Sequence, residues 1–256
     1  MVNKFFYWLL CFGSNNRFVS HAIQKFARSR WSRWTIASYC RLFQITESQA
    51  GYASLHAFFT RPKADLDERL ATVTNQDVIS PVDGRLMAVT TTSDCDRLTI
   101  KGQSYTLASL VGDLPASSTG YHVLLFYLSP ANYHRFHAPV ADHYRYVGAF
   151  GKYSYPVNDL GLRYTSDLYA KNYRHVYQIA SQNYFIAVGA MNINSITSHV
   201  STAMTATAIG DELGYFSFGS SVVLLLSQAD YQLNADLVVE QAVSVGDQLG
   251  ERINGN

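Results

Sequence analysis

The segment Tyr133-His134-Arg135-Phe136-His137-Ala138-Pro139 sets two imidazoles three residues apart around a cation and stops at a proline. Imidazole titrates near neutral pH, so His134 and His137 suit acid and base work. As metal ligands they would need a further partner at workable spacing, and the other histidines offer none that is obvious. The bland alternative is two hydrogen-bonded histidines at a strand end. Upstream, Ser80-Pro81-Val82-Asp83-Gly84-Arg85 closes a loop ahead of a strand. A Pro-x-Asp-Gly turn is ordinarily structural, with Asp83 bonded to its own turn. Downstream, Phe216-Ser217-Phe218-Gly219-Ser220-Ser221-Val222-Val223 places Gly-Ser at the mouth of an apolar strand. Gly219 has no Cβ, so the Ser220 side chain can fold back onto the Gly219 carbonyl and the peptide can distort. An ordinary hairpin explains the pattern equally well. The G-x-S-x-G elbow of α/β-hydrolases is absent, and an Asp, a His and a Ser in one chain do not make a triad.

The elements that must position these groups change character along the chain. A helical start over about residues 17–60 gives way at Arg61-Pro62-Lys63 to a connector and a helical turn around Leu66–Ala71. From Val78 onward, short apolar runs rich in β-branched and aromatic residues recur: Arg85–Thr90, Arg97–Lys101, Tyr121–Leu128, Tyr184–Ala190 and Ser221–Leu226. Few helical patterns separate them, which excludes a parallel βαβ array. The expected fold is α+β, an N-terminal helical module (1–63) followed by a mostly antiparallel β core (64–256). At 256 residues, 48% apolar and 15% charged, the chain is neither disordered nor collagen-like. A chain of this size builds a core without disulfides. Cys11, Cys40 and Cys95 are odd in number and lack C-x-x-C, against a disulfide scaffold or zinc ribbon. No apolar run approaches the ~20 residues of a spanning helix.

Charge is unevenly placed. Residues 1–63 carry nine Lys and Arg against one acid, Glu47, a net +8, so the rest carries −7 of the overall +1. Trp8, Trp31 and Trp34 lie in the same segment. Tryptophan favours the headgroup level, and each basic residue near an anionic leaflet contributes about 1 kcal/mol. Residues 18–43 read as helix, with Ile23, Phe26, Ala27 and Trp34 on one stripe, Lys25 and Arg28 opposite, and Arg30 intruding on the stripe. Phe5-Phe6-Tyr7-Trp8-Leu9-Leu10 could lie in an interface. A helix packed on its own domain and a signal peptide are the alternatives, the latter without an A-x-A-like cleavage site. Nucleic acid is disfavoured by the acidic remainder. Peripheral membrane contact fits best.

Together the segments resemble the phosphatidylserine decarboxylases, pyruvoyl-dependent enzymes. In chain order the matching stretches are Leu55–Lys63, Ser80–Arg85, Ile100–Leu107, Tyr133–Pro139, Asn172-Tyr173-Arg174, Val188-Gly189-Ala190 and Gly210–Val222, over about residues 20–227. Ser221 stands where the family usually has Thr, keeping a hydroxyl. Asn194 stands at a position that is often glycine, and Asn tolerates the left-handed region.

The resemblance implies a self-processing decarboxylase with a covalent pyruvoyl cofactor and no metal. Cleavage between Gly219 and Ser220, through attack of Ser220 Oγ on the Gly219 carbonyl, would give a β chain 1–219 and an α chain 220–256 that starts with the pyruvoyl group. His137 is implied as the base, Asp83 as the group orienting its ring, and His134 as the histidine of decarboxylation, assisting proton transfer. The substrate amine would form a Schiff base with the pyruvoyl carbonyl. Phosphatidylserine in an anionic membrane, the associated fragments and a homo-oligomer are the implied partners, at the cytoplasmic face of the cell membrane. A relative acting on a soluble amino acid, an unprocessed lipid-binding relative and a serine hydrolase are the rivals.

Overall fold

The computed structural model describes residues 11, 15–46, 49, 51–94, 96–190 and 196–253, with Arg17 described by its backbone alone. The expectations placed on Phe5–Leu10, Glu47, Cys95 and Asn194 fall outside the described residues. Three helical pieces replace the single helix expected over 18–43: α1 (Arg17–Arg28), a 3-10 helix (Arg30–Thr35) and α2 (Ile36–Phe43). Asn16 caps α1, its side chain accepting from the N–H groups of Phe18 and Val19. Ser29 then turns extended at ψ 154°. Serines cause the break by competing for backbone groups. The buried Ser32 hydroxyl shares its proton between the carbonyls of Ala27 and Ser29 and accepts the Leu55 N–H at 2.9 Å, tying the kink to α3 (Leu55–Phe59). Of the apolar stripe, only Ala27 is buried; Ile23, Phe26 and Trp34 face outward.

The rest of the chain runs α4 (Leu66–Leu70), β1 (Asp77–Ile79), β2 (Gly84–Thr92), β3 (Arg97–Ile100), β4 (Gln103–Thr106), α5 (Leu107–Val111), β5 (Tyr121–Leu128) and β6 (Arg135–His137). It continues through β7 (Asp142–Phe150), α6 (Asp159–Tyr164), α7 (Leu168–Lys171), β8 (Arg174–Ile179), β9 (Asn183–Gly189), β10 (Ile196–Ser198), β11 (Thr205–Thr207) and β12 (Glu212–Phe216). The last strands are β13 (Ser220–Ser227), β14 (Tyr231–Leu233), β15 (Ala242–Val243) and β16 (Gln248–Arg252). An eight-stranded sheet in the order β11-β7-β8-β9-β13-β5-β2-β15 is the frame, and β10-β12-β6 and β1-β16-β14 form smaller sheets. Every pairing between these strands is antiparallel, as the scarcity of helical crossovers requires. The fold is therefore α+β, helices first and antiparallel sheets after.

Strand β13 lies in the middle of that frame, buried along its whole length between β5 and β9. Its alternate side chains serve two cores. Val222, Leu224 and Leu226 pack with Phe126, Phe185, Phe136 and Phe216 beneath the β10-β12-β6 sheet. Val223 and Leu225 pack with Leu107, Leu110 and Leu168 from α5 and α7. A strand buried on both faces reads as an unbroken apolar run, and Val222–Leu226 is one. Leu224→Ala removes a fully buried side chain from the larger core and is expected to destabilise the protein by about 2–5 kcal/mol, read as a lowered urea midpoint.

Candidate functional site

Ser220 is the first residue of β13, in register with Leu128 of β5 and Gly189 of β9. Side chains alternate along a strand, so Ser220 shares the face of Val222, and Ser221 turns to the other core. Ser220 is fully buried, and its Oγ has no hydrogen-bond partner among the described residues. The carbonyl of the residue before it is engaged: the Ala190 N–H donates to Gly219 O at 2.8 Å. Gly219 itself is not held in a left-handed conformation, and an added Cβ would meet nothing nearer than Ala190 Cβ at 3.9 Å.

The two histidines have unlike surroundings. His134, at the approach to β6, stacks on Phe59 of α3 with ring centroids 3.8 Å apart, and Phe59 in turn lies against Phe218. Its Nδ1 is 2.8 Å from the Asn132 carbonyl, which can only accept, so Nδ1 carries the proton. Complete burial drives its pKa down to about 3, outweighing the carbonyl that opposes the shift. Nε2 is therefore a bare lone pair at neutral pH, buried and without a partner.

His137, by contrast, has both ring nitrogens occupied. Nδ1–H donates to the Gly210 carbonyl at 2.7 Å, and Nε2 accepts from the Tyr133 hydroxyl at 2.9 Å. Burial lowers its pKa, with the Gly210 carbonyl, Glu212 and Asp83 pulling the other way. Gly210 can present that carbonyl because it takes φ +81°, where a Cβ would also sit 2.5 Å from Leu70.

Asp83 does not orient His137 by a hydrogen bond. Its Oδ2 takes Lys63 Nζ at 2.6 Å and its Oδ1 takes the Val245 N–H at 2.8 Å, so the carboxylate reaches the imidazole through its field alone. Gly210 holds the ring in its place. Nor does Asp83 close its own turn. Sequence reasoning missed Lys63 and Tyr133 although both lie in quoted segments; a lone cation beside Arg61-Pro62 and a tyrosine beside a histidine carry no spacing signal.

Other elements brace the site. Arg135 forks from β6 to the Thr60 carbonyl and to Glu212 of β12, the latter at 2.9 Å. Arg174 is spent on the carbonyls of Leu110, Ser109 and Ala170, and burial lowers its pKa to about 10. A cavity of about 370 Å³ lies over Asp83, lined by Tyr52, Arg61, Lys63 and Tyr133. A second, of about 480 Å³, is lined by Arg30, Arg33, Trp34 and again Tyr52. Among the described residues no three His, Cys, Asp or Glu side chains gather as a metal site would need.

A family model described as phosphatidylserine decarboxylase matches residues 55–251. The chain is similar to the phosphatidylserine decarboxylase proenzyme of Bacillus subtilis (strain 168), 39% identical over 248 residues that cover 93% of each chain. It is also similar to the proenzyme of Geobacillus sp. (strain WCH70), 35% identical and covering 96% of this chain and 98% of that one. The Bacillus cereus (strain B4264) proenzyme is 33% identical over 94% of each.

The buried imidazoles set a pH dependence. His134 at about 3 and His175 at about 4 both lie below the 6.5 of an open chain, so the unfolded state takes up protons that the folded state refuses. Their contribution is whole above pH 6.5 and is lost as pH falls toward 4 and then 3. Urea midpoints should drop from about pH 7.5 to about pH 4.5, and His134→Gln should shrink the drop.

Proposed function

The chain belongs to the phosphatidylserine decarboxylase family, and from that premise we propose that it converts phosphatidylserine to phosphatidylethanolamine and carbon dioxide, using a pyruvoyl group made from its own Ser220. The observation that carries the reading is Ser220: a buried hydroxyl with no partner among the described residues, at the head of the central strand and a five-membered ring closure away from the Gly219 carbonyl carbon, whose oxygen is already hydrogen-bonded. Ser221 Oγ is left in the same state, so the place of Ser220 directly after Gly219 is what singles it out, and the site fits a group that would replace its hydroxyl.

Processing needs only groups already present and one water. Ser220 Oγ adds to the Gly219 carbonyl carbon, the Gly219–Ser220 C–N bond breaks, and the amide becomes an ester with a free amine on Ser220. Loss of the Ser220 Cα proton expels Gly219 as a carboxylate and leaves a dehydroalanine. Water then displaces ammonia, and position 220 becomes pyruvoyl. Fragments 1–219 and 220–256 stay together, because β13 is laddered to both β5 and β9, β15 to β2 and β16 to β1. When present, the pyruvoyl carbonyl supplies the sink for the electron pair left by the departing carboxylate.

A serine hydroxyl needs a base. His137 serves in processing, exchanging Tyr133 for the serine proton, while the Asp83 charge favours the imidazolium. His134 serves in turnover, holding a proton at its free Nε2 inside the apolar pocket of Phe59. The partnerless Nε2 of His134 and Oγ of Ser220 favour a second reading, in which His134 is also the processing base.

The substrate side is the outward face of the N-terminal helices. Phe18, Trp31, Trp34 and Leu42 are each at least 73% exposed, with Lys25, Arg28, Arg30, Arg33 and Arg41 exposed among them and no acid between residues 17 and 43. Such a face suits an anionic leaflet, with the protein peripheral to the cytoplasmic face of the cell membrane. No described helix is long and apolar enough to cross a membrane. Tyr52, common to the two cavities, links the leaflet side to Asp83.

Three measurements test the reading. Intact mass should show two fragments and a keto terminus, and Ser220→Ala a single chain; a normally split Ser220→Ala protein would end the assignment. His137→Ala should block splitting, whereas His134→Ala should split and then lose most carbon dioxide release from phosphatidylserine vesicles. Failure of His134→Ala to split would move the base to His134, and release from free serine or tryptophan instead of vesicles would favour a soluble substrate. Arg30→Gln and Arg33→Gln should each weaken binding to anionic liposomes about fivefold at low salt and less at high salt.

A further inference from the structure

The segments around Asn172 and Val188-Gly189-Ala190 have no part in the chemistry so far, yet they meet at the bond that breaks. Asn172 caps the end of α7 and is fully buried. Its Oδ1 accepts the Tyr155 N–H at 3.0 Å, and its Nδ2 donates to the carbonyls of Tyr155 at 2.8 Å and Gly189 at 3.0 Å. The Gly189 carbonyl belongs to the same peptide as the Ala190 N–H, which donates to Gly219 O at 2.8 Å. The Gly189 N–H is fixed by the Tyr173 carbonyl at 2.9 Å. One peptide plane is thus gripped on its oxygen by Asn172 and aimed by its nitrogen at the scissile carbonyl.

We propose that the Ala190 N–H is the donor that stabilises the oxyanion formed on Gly219 when Ser220 attacks, and that Asn172 is the residue positioning and polarising that donor. The proposal rests on the reading that Gly219–Ser220 is the bond split. As Oγ adds, the carbonyl π electrons move onto Gly219 O, and the negative charge develops at an atom already within oxyanion-donor distance of an N–H. A donor bond to the carbonyl of the Gly189–Ala190 peptide makes its N–H a stronger donor, since linked hydrogen bonds polarise one another. A ladder rung that only holds β9 to β13 would show the same distance, but its loss would leave the splitting rate alone.

The test follows splitting of the full chain after cell-free synthesis, by gel and intact mass. Lactic acid in place of Ala190 keeps the side chain and replaces the N–H by an ester oxygen. One lost backbone bond costs about 1 kcal/mol, too little to unfold the chain, while splitting should slow by about 10²–10³-fold. Asn172→Asp keeps the acceptor for Tyr155 N–H but turns an oxygen toward two carbonyls. Burial raises that carboxyl's pKa, so at low pH its O–H donates again, and splitting of this variant should speed up from about pH 8 to about pH 5, a rise the wild type, with no carboxyl at that position, does not show. A purely structural asparagine would not produce that rise. Protease resistance of the unsplit precursors shows that they are folded, and the lactate arm decides alone should Asn172→Asp not fold. Wild-type splitting in the lactate chain, or a wild-type pH trend in folded Asn172→Asp, overturns the proposal while leaving the function standing. A wild-type chain that never splits at Gly219 overturns both.

Discussion

At the head of its central strand the main sheet holds a serine hydroxyl that is taken out of water and has no partner among the described residues. Burying such a group without a partner costs about 1–3 kcal/mol, and the cost is met by the strand that carries it. Val222 to Leu226 fill both cores of the main sheet, and neighbours on each side hold β13 along its length. The position of Ser220 is therefore set by some of the most stable packing in the fold. Its hydroxyl is left with the carbonyl of its own peptide as a nearby electrophile. Rigid burial also suits the proposed processing: a break at Gly219–Ser220 would fall at the end of a strand whose remaining hydrogen bonds and side chains stay in place.

The electrostatics follow from the same exclusion of water. Carbonyls fix the proton on Nδ1 of both His134 and His137, and burial keeps the second proton off, so both are neutral at rest with Nε2 as the available base. The charge that would favour an imidazolium is not in contact. Asp83 lies against Lys63, which partly cancels its field, and Tyr133 occupies the nitrogen of His137. A resting site of this kind waits on an exchange of hydrogen bonds at His137, which suits the single processing event proposed for it. His134 has no such exchange to make, which suits the part in every turnover proposed for it.

Much of this was legible in the residues. The short β-branched and aromatic runs marked β2, β3, β5, β9 and β13 to within a few positions, because a strand must pack at every second residue and turns must supply Gly, Asn or Asp. Asp83, His134, His137 and Ser220 come together as a candidate set only through the resemblance, since each local pattern has an ordinary structural explanation. What escaped was relational. The single helix read over residues 18–43 breaks because Ser29 and Ser32 bond to the backbone, and its stripe of Ile23, Phe26 and Trp34 turns out to face away from the core. The partners of Asp83 could not be read either. Lys63 lies 20 residues upstream and Val245 162 residues downstream, and that proximity exists only after the sheets have closed. The donor to Gly219 is a main-chain N–H, a group every residue but proline carries.

The N-terminal helices look separable by composition, yet their last part is built into the catalytic end of the core. Phe58 is buried against Ile36 and Cys40 of α2, while its neighbour Phe59 forms the floor under His134. Two residues on, Arg61 reaches the Ala131 carbonyl, and Lys63 closes on Asp83. The same short stretch thus touches the outward cationic, tryptophan-bearing surface on one side and both histidine environments on the other. On the proposed reading, a surface that docks on a bilayer and a pocket that reacts with a head group must lie close together, because a phospholipid's reactive end stays near the leaflet. Phe59 and Lys63, on the stretch that follows the cationic helices, would meet that constraint through packing.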